Sequence, residues 1–416
     1  MKNMRSSILR FFSKLTYSFF KTFPEFLDII ARAQTLLATE RSLSTIEASK
    51  SKTVRFGGRW IDSVESQPDN EREIVEEVIS SFNAAKRMQP SIAIPYRPSG
   101  VWRDFLDPRL GYFYDIISKK DHVSVAKYLR NFFRNQAISG LWSGEINVFQ
   151  AFHNLDKLAQ LQREHTMKEQ YLVWRRNLPS VDLKELDAPR VGNPWGYRFD
   201  DYLLYEPVLE YNFQAHYFDE LLKDIKTPVV IEIGGGFGGL AHHLLCLRPS
   251  IKYIGFDLPE NILIQTYYLS CIFPYAKILT YENNAPTLTL EQLDDYDIVL
   301  LPNFELKRTE SLIADLIVNV RCLSGMSHEA ITEYFTQIDR LGRLFFYHEN
   351  LYKARKDGYY GVPCTIFPTL RNFTQLSANE SRWPNYKDSQ NYPCQENLFI
   401  RRSVISSQYS HDKSPL

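Results

Sequence analysis

The chain has 416 residues, long enough for two or three domains, and its 49 Lys and Arg balance its 49 Asp and Glu, so it lacks the basic excess of a dedicated nucleic-acid binder. Hydrophobic residues at 44% and aromatics at 14% supply a large core and exclude global disorder. Cys246, Cys271, Cys322, Cys364 and Cys394 form no CxxC pair and no Cys/His ligand cluster, the usage expected of reduced thiols in a cytoplasm.

Residues 1–27 set Lys2, Arg5, Arg10, Lys14 and Lys21 among Ile8, Leu9, Phe11, Phe12, Leu15, Phe19, Phe20 and Phe23. The charges interrupt every apolar run before it reaches the roughly 20 residues of a spanning helix. A cleavable signal would need an uninterrupted apolar centre and a small-x-small site, and neither is visible. The segment is expected to be a basic amphipathic helix. It would lie on an anionic membrane surface, giving a cytoplasmic protein peripheral contact with the inner membrane, or pack on protein. Residues 1–90 as a whole are expected to be mostly helical, as a membrane-surface or partner-binding region. Gln89–Gly100 is a proline-rich connector. Residues 91–205 form a second helical, aromatic region, with helices expected over Val123–Asn135 and Ala151–Met167 and a glycine-containing turn at Val191–Tyr197. Trp195, Tyr197, Tyr202, Tyr205, Tyr211 and Tyr217 crowd the approach to the next segment, which opens with a helix over about 207–222.

That helix leads to Val229-Val230-Ile231-Glu232-Ile233-Gly234-Gly235-Gly236-Phe237-Gly238-Gly239, a short apolar strand, an acid, five glycines within six residues, and then the helical pattern Leu240–Leu245. Glycine suits a turn that visits positive φ and a backbone that a ligand approaches closely. The following helix N-terminus offers unpaired N–H groups. A nucleotide-like cofactor is therefore expected here. Gly234-x-Gly236-x-x-Gly239 fits the dinucleotide fingerprint, and Glu232-x-Gly234-x-Gly236-x-Gly238 resembles motif I of the class I S-adenosylmethionine-dependent methyltransferases. Glu232 tilts the choice, because an acid at the strand end suits an ammonium and a sulfonium and repels a pyrophosphate. Asp257 ends the next apolar strand about 20 residues beyond, where an acid accepts hydrogen bonds from ribose hydroxyls. The stretch Phe256-Asp257-Leu258-Pro259 resembles one found in small-molecule O-methyltransferases.

From 228 onward strands and helices alternate, which predicts a parallel sheet covered on both faces. Strands are expected at 228–233, 252–257, 276–280, 297–302, 315–320 and 343–348, with a late one at Leu398–Ile400. The clearest helix lies between the last two of the main series: Ser327 caps it, Ile331, Tyr334, Phe335, Ile338 and Leu341 share one face, and Gly342 ends it. Residues 206–402 form this domain, and 403–416 read as a loose tail.

Residues from about 191 to 353 resemble the bacterial sugar O-methyltransferase family. The matching pieces are Gly192–Gly196, the His216-Tyr217 pair, Glu232–Ala241, Asp257-Leu258-Pro259, Leu301-Pro302, Asp315–Asn319 and Ser324-Gly325-Met326, with a weaker echo at Ser99–Trp102. The resemblance implies a Rossmann-like class I methyltransferase with a doubly wound α/β sheet, preceded by a largely helical region. It implies S-adenosylmethionine as cofactor, held by Glu232, Gly234, Gly235, Gly236, Gly238, Asp257 and Leu258. The acceptor would be a carbohydrate that is free, nucleotide-linked or lipid-linked, in polysaccharide or glycoconjugate biosynthesis. Asn193, Trp195, Tyr197 and Tyr217 are candidate substrate contacts, since sugars stack on aromatic faces while Asn supplies hydrogen bonds. A sugar hydroxyl is a weak acid, so a base is expected, and His328, His348 and His216 are the candidates. No compact acid/His set marks a metal, and none is assigned. Where the family often carries an acid just before the methionine, this chain has Gly325, so a non-catalytic assembly factor on the same fold stays open, as does an NAD-dependent oxidoreductase acting on a sugar nucleotide. The oligomeric state is not legible.

Overall fold

The structure is a computed structural model that describes residues 54–119, 121–141, 148–282, 287–353, 361–381 and 394–403. The expected helix of residues 1–27 and the tail after residue 403 lie outside them. Two sheets organise what is described. A small antiparallel sheet joins β1 (Phe56–Trp60), β2 (Gly196–Phe199) and β3 (Tyr202–Leu204) in that order. Between β1 and β2 run α1 (Glu71–Met88), α2 (Val101–Ser118), α3 (His122–Arg130), α4 (Val148–His153) and α5 (Lys157–Asn177). Residues 56–60 were expected within a helical stretch and are a strand instead. The helix expected over 151–167 is two helices, because Asp156 caps a new start at α5 by accepting from the Ala159 N–H at 2.8 Å. The one expected over 123–135 ends at Arg130 and continues as two single 3₁₀ turns, the second capped by Asn135.

α6 (Val208–Leu221) leads into the main sheet, built from β4 (Val229–Ile233), β5 (Lys252–Asp257), β6 (Ile278–Leu279), β7 (Ile298–Pro302), β8 (Ala314–Val320), β9 (Gly342–Leu351), β10 (Phe373–Glu380) and β11 (Cys394–Arg401). Its helices are α7 (Gly239–Leu247), α8 (Pro259–Ile272), the short α9 (Leu290–Leu293) and α10 (His328–Leu341). The strand order is β10-β11-β9-β8-β4-β5-β7-β6. Strands β6, β7, β5, β4, β8 and β9 run parallel, and β11 pairs antiparallel with both β9 and β10. From β4 the chain winds outward through β5, and it returns to the other side of β4 with β8. The sheet is thus doubly wound, with its switch point between β4 and β8, and crevices at such points are where open α/β sheets bind ligands.

Both faces of the sheet are buried, as the near-continuous apolar strands require. Val230, Tyr253, Leu300, Leu316 and Val318 face one core, together with α1, α3, α6, α7 and α8. Val229, Ile231, Ile233, Ile254, Phe256 and Ile317 face the other, closed by Ile331, Phe335, Ile338 and Leu341 of α10. The first core runs from Ile74 to Leu398, so the early helices pack directly on the sheet. Lys86 of α1 pairs with buried Glu260 of α8 at 2.7 Å, and the Tyr267 hydroxyl donates to Glu71 at 3.1 Å. Among the described residues no helix is long and apolar enough to cross a membrane.

Candidate active site

A cleft opens at the switch point. Its floor is the turn after β4. Gly234 donates its N–H to the Phe256 carbonyl at 2.8 Å, Gly238 donates to Gly235 at 3.0 Å, and Gly236 donates to Asp257 Oδ2 at 2.9 Å. Two glycines show why the sequence needs them. Gly236 sits at φ +59° and lines the cleft, with Leu141 in ordinary contact distance of where a Cβ would lie, so a side chain there would both strain the backbone and fill the space toward Leu141. At Gly234, a Cβ would collide with the side chain of Cys322, which comes from the end of the neighbouring strand.

Glu232 and Asp257 line the cleft from the ends of β4 and β5. Glu232 is buried and accepts the Tyr253 hydroxyl at 2.5 Å, and Gln265 in turn donates to that hydroxyl at 2.9 Å. Burial pushes the Glu232 carboxyl up to about 7, against the pull of the Tyr253 bond. A group carrying a positive charge would restore its ionised form. Asp257 spreads its carboxylate over the glycine turn and the start of α8, accepting from the Leu258 N–H at 2.7 Å and from Asn261 at 2.8 Å as well as from Gly236. Opposite lies Asn303, just beyond β7. Its Nδ2 donates to the Tyr96 carbonyl at 2.9 Å and to the Tyr334 hydroxyl at 2.8 Å, while its Oδ1 is buried and has no partner among the described residues. A buried acceptor left without a partner beside a cleft suits an amino group of a bound ligand.

The other end of the cleft holds Glu210, Tyr211, Trp102 and Arg321. Arg321 follows β8 with its backbone at φ +56°, a left-handed conformation that few residues other than glycine adopt. It is fixed there by Glu349 of β9, whose carbonyl accepts the Arg321 N–H at 2.7 Å and whose Oε1 accepts Nε and Nη2 at 3.0 and 2.6 Å. Arg321 Nη2 also reaches Glu210 Oε1 at 2.9 Å. Trp102 donates its ring N–H to the Cys322 carbonyl at 3.1 Å. A Cβ at Gly325 would lie 2.6 Å from that ring nitrogen, so the missing acid at 325 makes room for Trp102.

All seven expected cofactor residues therefore cluster at the turn, and Glu232, Gly234, Gly235, Gly236, Asp257 and Leu258 face the cleft. Gly238 lies behind it, as the N-cap of α7 at φ +95°. The expected substrate contacts do not reach the cleft. Trp195 is fully buried, tilted against Phe152 at 4.4 Å between centroids, and donates to the Phe133 carbonyl at 2.7 Å. Tyr197 is equally buried in β2 against Phe56 and Phe152. Asn193, at φ +56°, ties its turn to Val64, Ser63 and Asn131. Tyr217 packs on Tyr347 and Phe213.

The expected bases are corrected as well. His348 is buried in a cage of Phe335, Phe346, Phe367 and Phe399, where burial lowers its ring to about 3. His216 bonds Glu185 at 2.8 Å, away from the cleft. His328 opens α10 as an exposed residue outside the cleft lining. The residues that do line the cleft and were missed are Glu210, Arg321 and Asn303. Asn303 follows Leu301-Pro302 directly, whereas Glu210 carried no such signal, because its helix also holds Asn212, Gln214, Asp219 and Glu220.

No protein-family model matches the chain, and no curated protein matches it. Solved structures similar to it include the magnesium protoporphyrin IX methyltransferase of Synechocystis with bound S-adenosylhomocysteine. That one is 10% identical, with a TM-score of 0.33 over 57% of this chain and 97% of that one. A plantazolicin methyltransferase, also in complex with S-adenosylhomocysteine, is 14% identical, with a TM-score of 0.28 over 46% of this chain and 81% of that one.

Proposed function

We propose that the chain is an S-adenosylmethionine-dependent O-methyltransferase that methylates a sugar hydroxyl in polysaccharide or glycoconjugate biosynthesis. The observation that carries the cofactor is the joint placement of the glycine turn, Glu232 and Asp257 on one cleft at the switch point. Asp257 would accept from the ribose hydroxyls, and the open Oδ1 of Asn303 would accept from the adenine amino group. Glu232, raised by burial, would face the methionine ammonium. The same carboxyl disfavours a pyrophosphate and hence NAD. When bound, the cofactor supplies a methyl carbon already activated by its sulfonium, so the protein's share is alignment and proton removal, the former worth up to about 7–11 kcal/mol.

The sugar rests on the sequence resemblance through residues 191–353. The aromatic residues of the cleft lining that would meet an acceptor are Trp102 and Tyr211 in place of Trp195 and Tyr197. Melting curves of the full chain with S-adenosylmethionine, S-adenosylhomocysteine or NAD test the cofactor. A true ligand at about 100 times its Kd adds about 2.7 kcal/mol of stability. Stabilisation by both sulfur compounds and not by NAD is expected, and stabilisation by NAD alone would overturn the assignment.

A further inference from the structure

We propose that Glu210 is the base that takes the acceptor's proton and that Arg321 is its positioning residue, an inference that rests on the methyl-transfer reading of the same cleft. Glu210 stands near the start of α6, buried, on the wall it shares with Glu232 and Gly236. Its two oxygens differ. Oε1 accepts from Arg321 at 2.9 Å and from Gln214 at 3.3 Å, whereas no bond falls on Oε2 among the described residues. One oxygen is clamped and the other is left to a ligand. The clamp is strained: Arg321 adopts its left-handed backbone at the end of β8, and such strain persists where surrounding contacts enforce it. Glu349 does so with its carbonyl and both guanidinium contacts.

The charges facing Glu210 are Arg321, Glu349 from β9 and Glu396 from β11, with Tyr211 beside it on α6 and the Cys394 thiol of β11 near the same carboxylates. One guanidinium thus meets two carboxylates, and a third, Glu396, acts on Glu210. Burial raises the Glu210 carboxyl to about 8, Arg321 opposing and Glu349 and Glu396 adding to the rise. A base in that range is matched to proton transfer near neutral pH. In the step, the acceptor O–H gives its proton to Glu210 Oε2 as the acceptor oxygen bonds to the methyl carbon. The carbon–sulfur bond breaks with its electron pair staying on sulfur, and the proton then passes to solvent.

Calorimetry of the full chain in buffers of different ionisation enthalpy tests this without an acceptor. The positive sulfonium of S-adenosylmethionine favours ionised Glu210, and the neutral sulfur of S-adenosylhomocysteine does not. Just below the Glu210 value of about 8, the first compound should therefore release more protons on binding than the second. Glu210→Gln should abolish that excess while S-adenosylhomocysteine still binds. Glu349→Gln, which removes a neighbouring carboxylate without touching the ligand, should move the excess to lower pH. With a mixture of simple methyl glycosides as acceptor probe, Glu210→Gln should also lower turnover by about 10²–10⁴-fold. An undiminished excess in Glu210→Gln, or an unmoved one in Glu349→Gln, overturns the base assignment and leaves the cofactor site standing. Failure of both sulfur compounds to bind the unmutated chain overturns the methyl-transfer reading, and this inference with it.

Discussion

Gly236 is the residue on which the proposed cofactor site turns. Its φ of +59° is strained for any β-branched side chain, and its N–H anchors the turn to Asp257. Gly236→Val is expected to lower stability by about 1–3 kcal/mol and to abolish S-adenosylmethionine binding. Calorimetry on a variant shown to be folded by circular dichroism checks this, and unchanged affinity would remove the turn from the site. His348 makes the opposite case, a residue of catalytic type serving the core. In the folded chain it stays neutral down to about 3, whereas an unfolded histidine takes up a proton near 6.5. Its folded value is depressed, so the unfolded chain binds more protons between those values, and stability is lost as pH falls through that window. His348→Phe should make acid unfolding shallower over that interval and leave turnover near normal. A large loss of turnover with intact folding would return His348 to the active site. The glycines, Glu232 and Asp257 were legible because each is local to one strand end. The Glu210–Arg321 pair spans 111 positions, and nothing in either neighbourhood announces the other.

Elements buried on both faces were the readable ones. β4 and β7 are fully buried and, Glu232 apart, apolar, so a short β-branched and aliphatic run in the sequence marks them. α10 shows its amphipathic face and its cap in plain order. Ser327 accepts from the Ala330 N–H at 3.2 Å, so Ser327→Ala should cost about 0.5–2 kcal/mol in denaturant melts without altering cofactor affinity. A change in affinity would mean that the cap also positions Met326, which lines the cleft. β10 was missed because it is an edge strand whose residues, Phe373 apart, are largely exposed and polar, Phe-Thr-Gln-Leu-Ser-Ala-Asn-Glu. β1 was missed because Gly57 and Gly58 break the strand pattern; a Cβ at Gly57 would press on Arg198 of β2, and Gly58 sits at φ +78°. That error had a consequence. Without β1, the aromatic turn at 195–197 reads as an open platform, whereas β1, α4 and Phe133 bury it from several sides.

At the scale of the molecule, the early helices do more than precede the sheet. Ser99, Trp102 and Leu141 wall the cleft opposite the glycine turn, and α1 seals one face of the sheet through Lys86–Glu260 and Glu71–Tyr267. Site and scaffold therefore share one core, and on the proposed reading the acceptor would meet the cleft between the early region and the ends of β4 and β8. Methyl transfer from S-adenosylmethionine labelled in its methyl group, incubated with the full chain and glycan fractions of the producing cell and followed by linkage analysis, tests the central claim most directly. The account predicts label in an O-methyl ether on a sugar hydroxyl, absent when Gly236→Val replaces the unmutated chain. Binding of the cofactor with no label in any carbohydrate fraction, or label only in protein or nucleic acid, would contradict it.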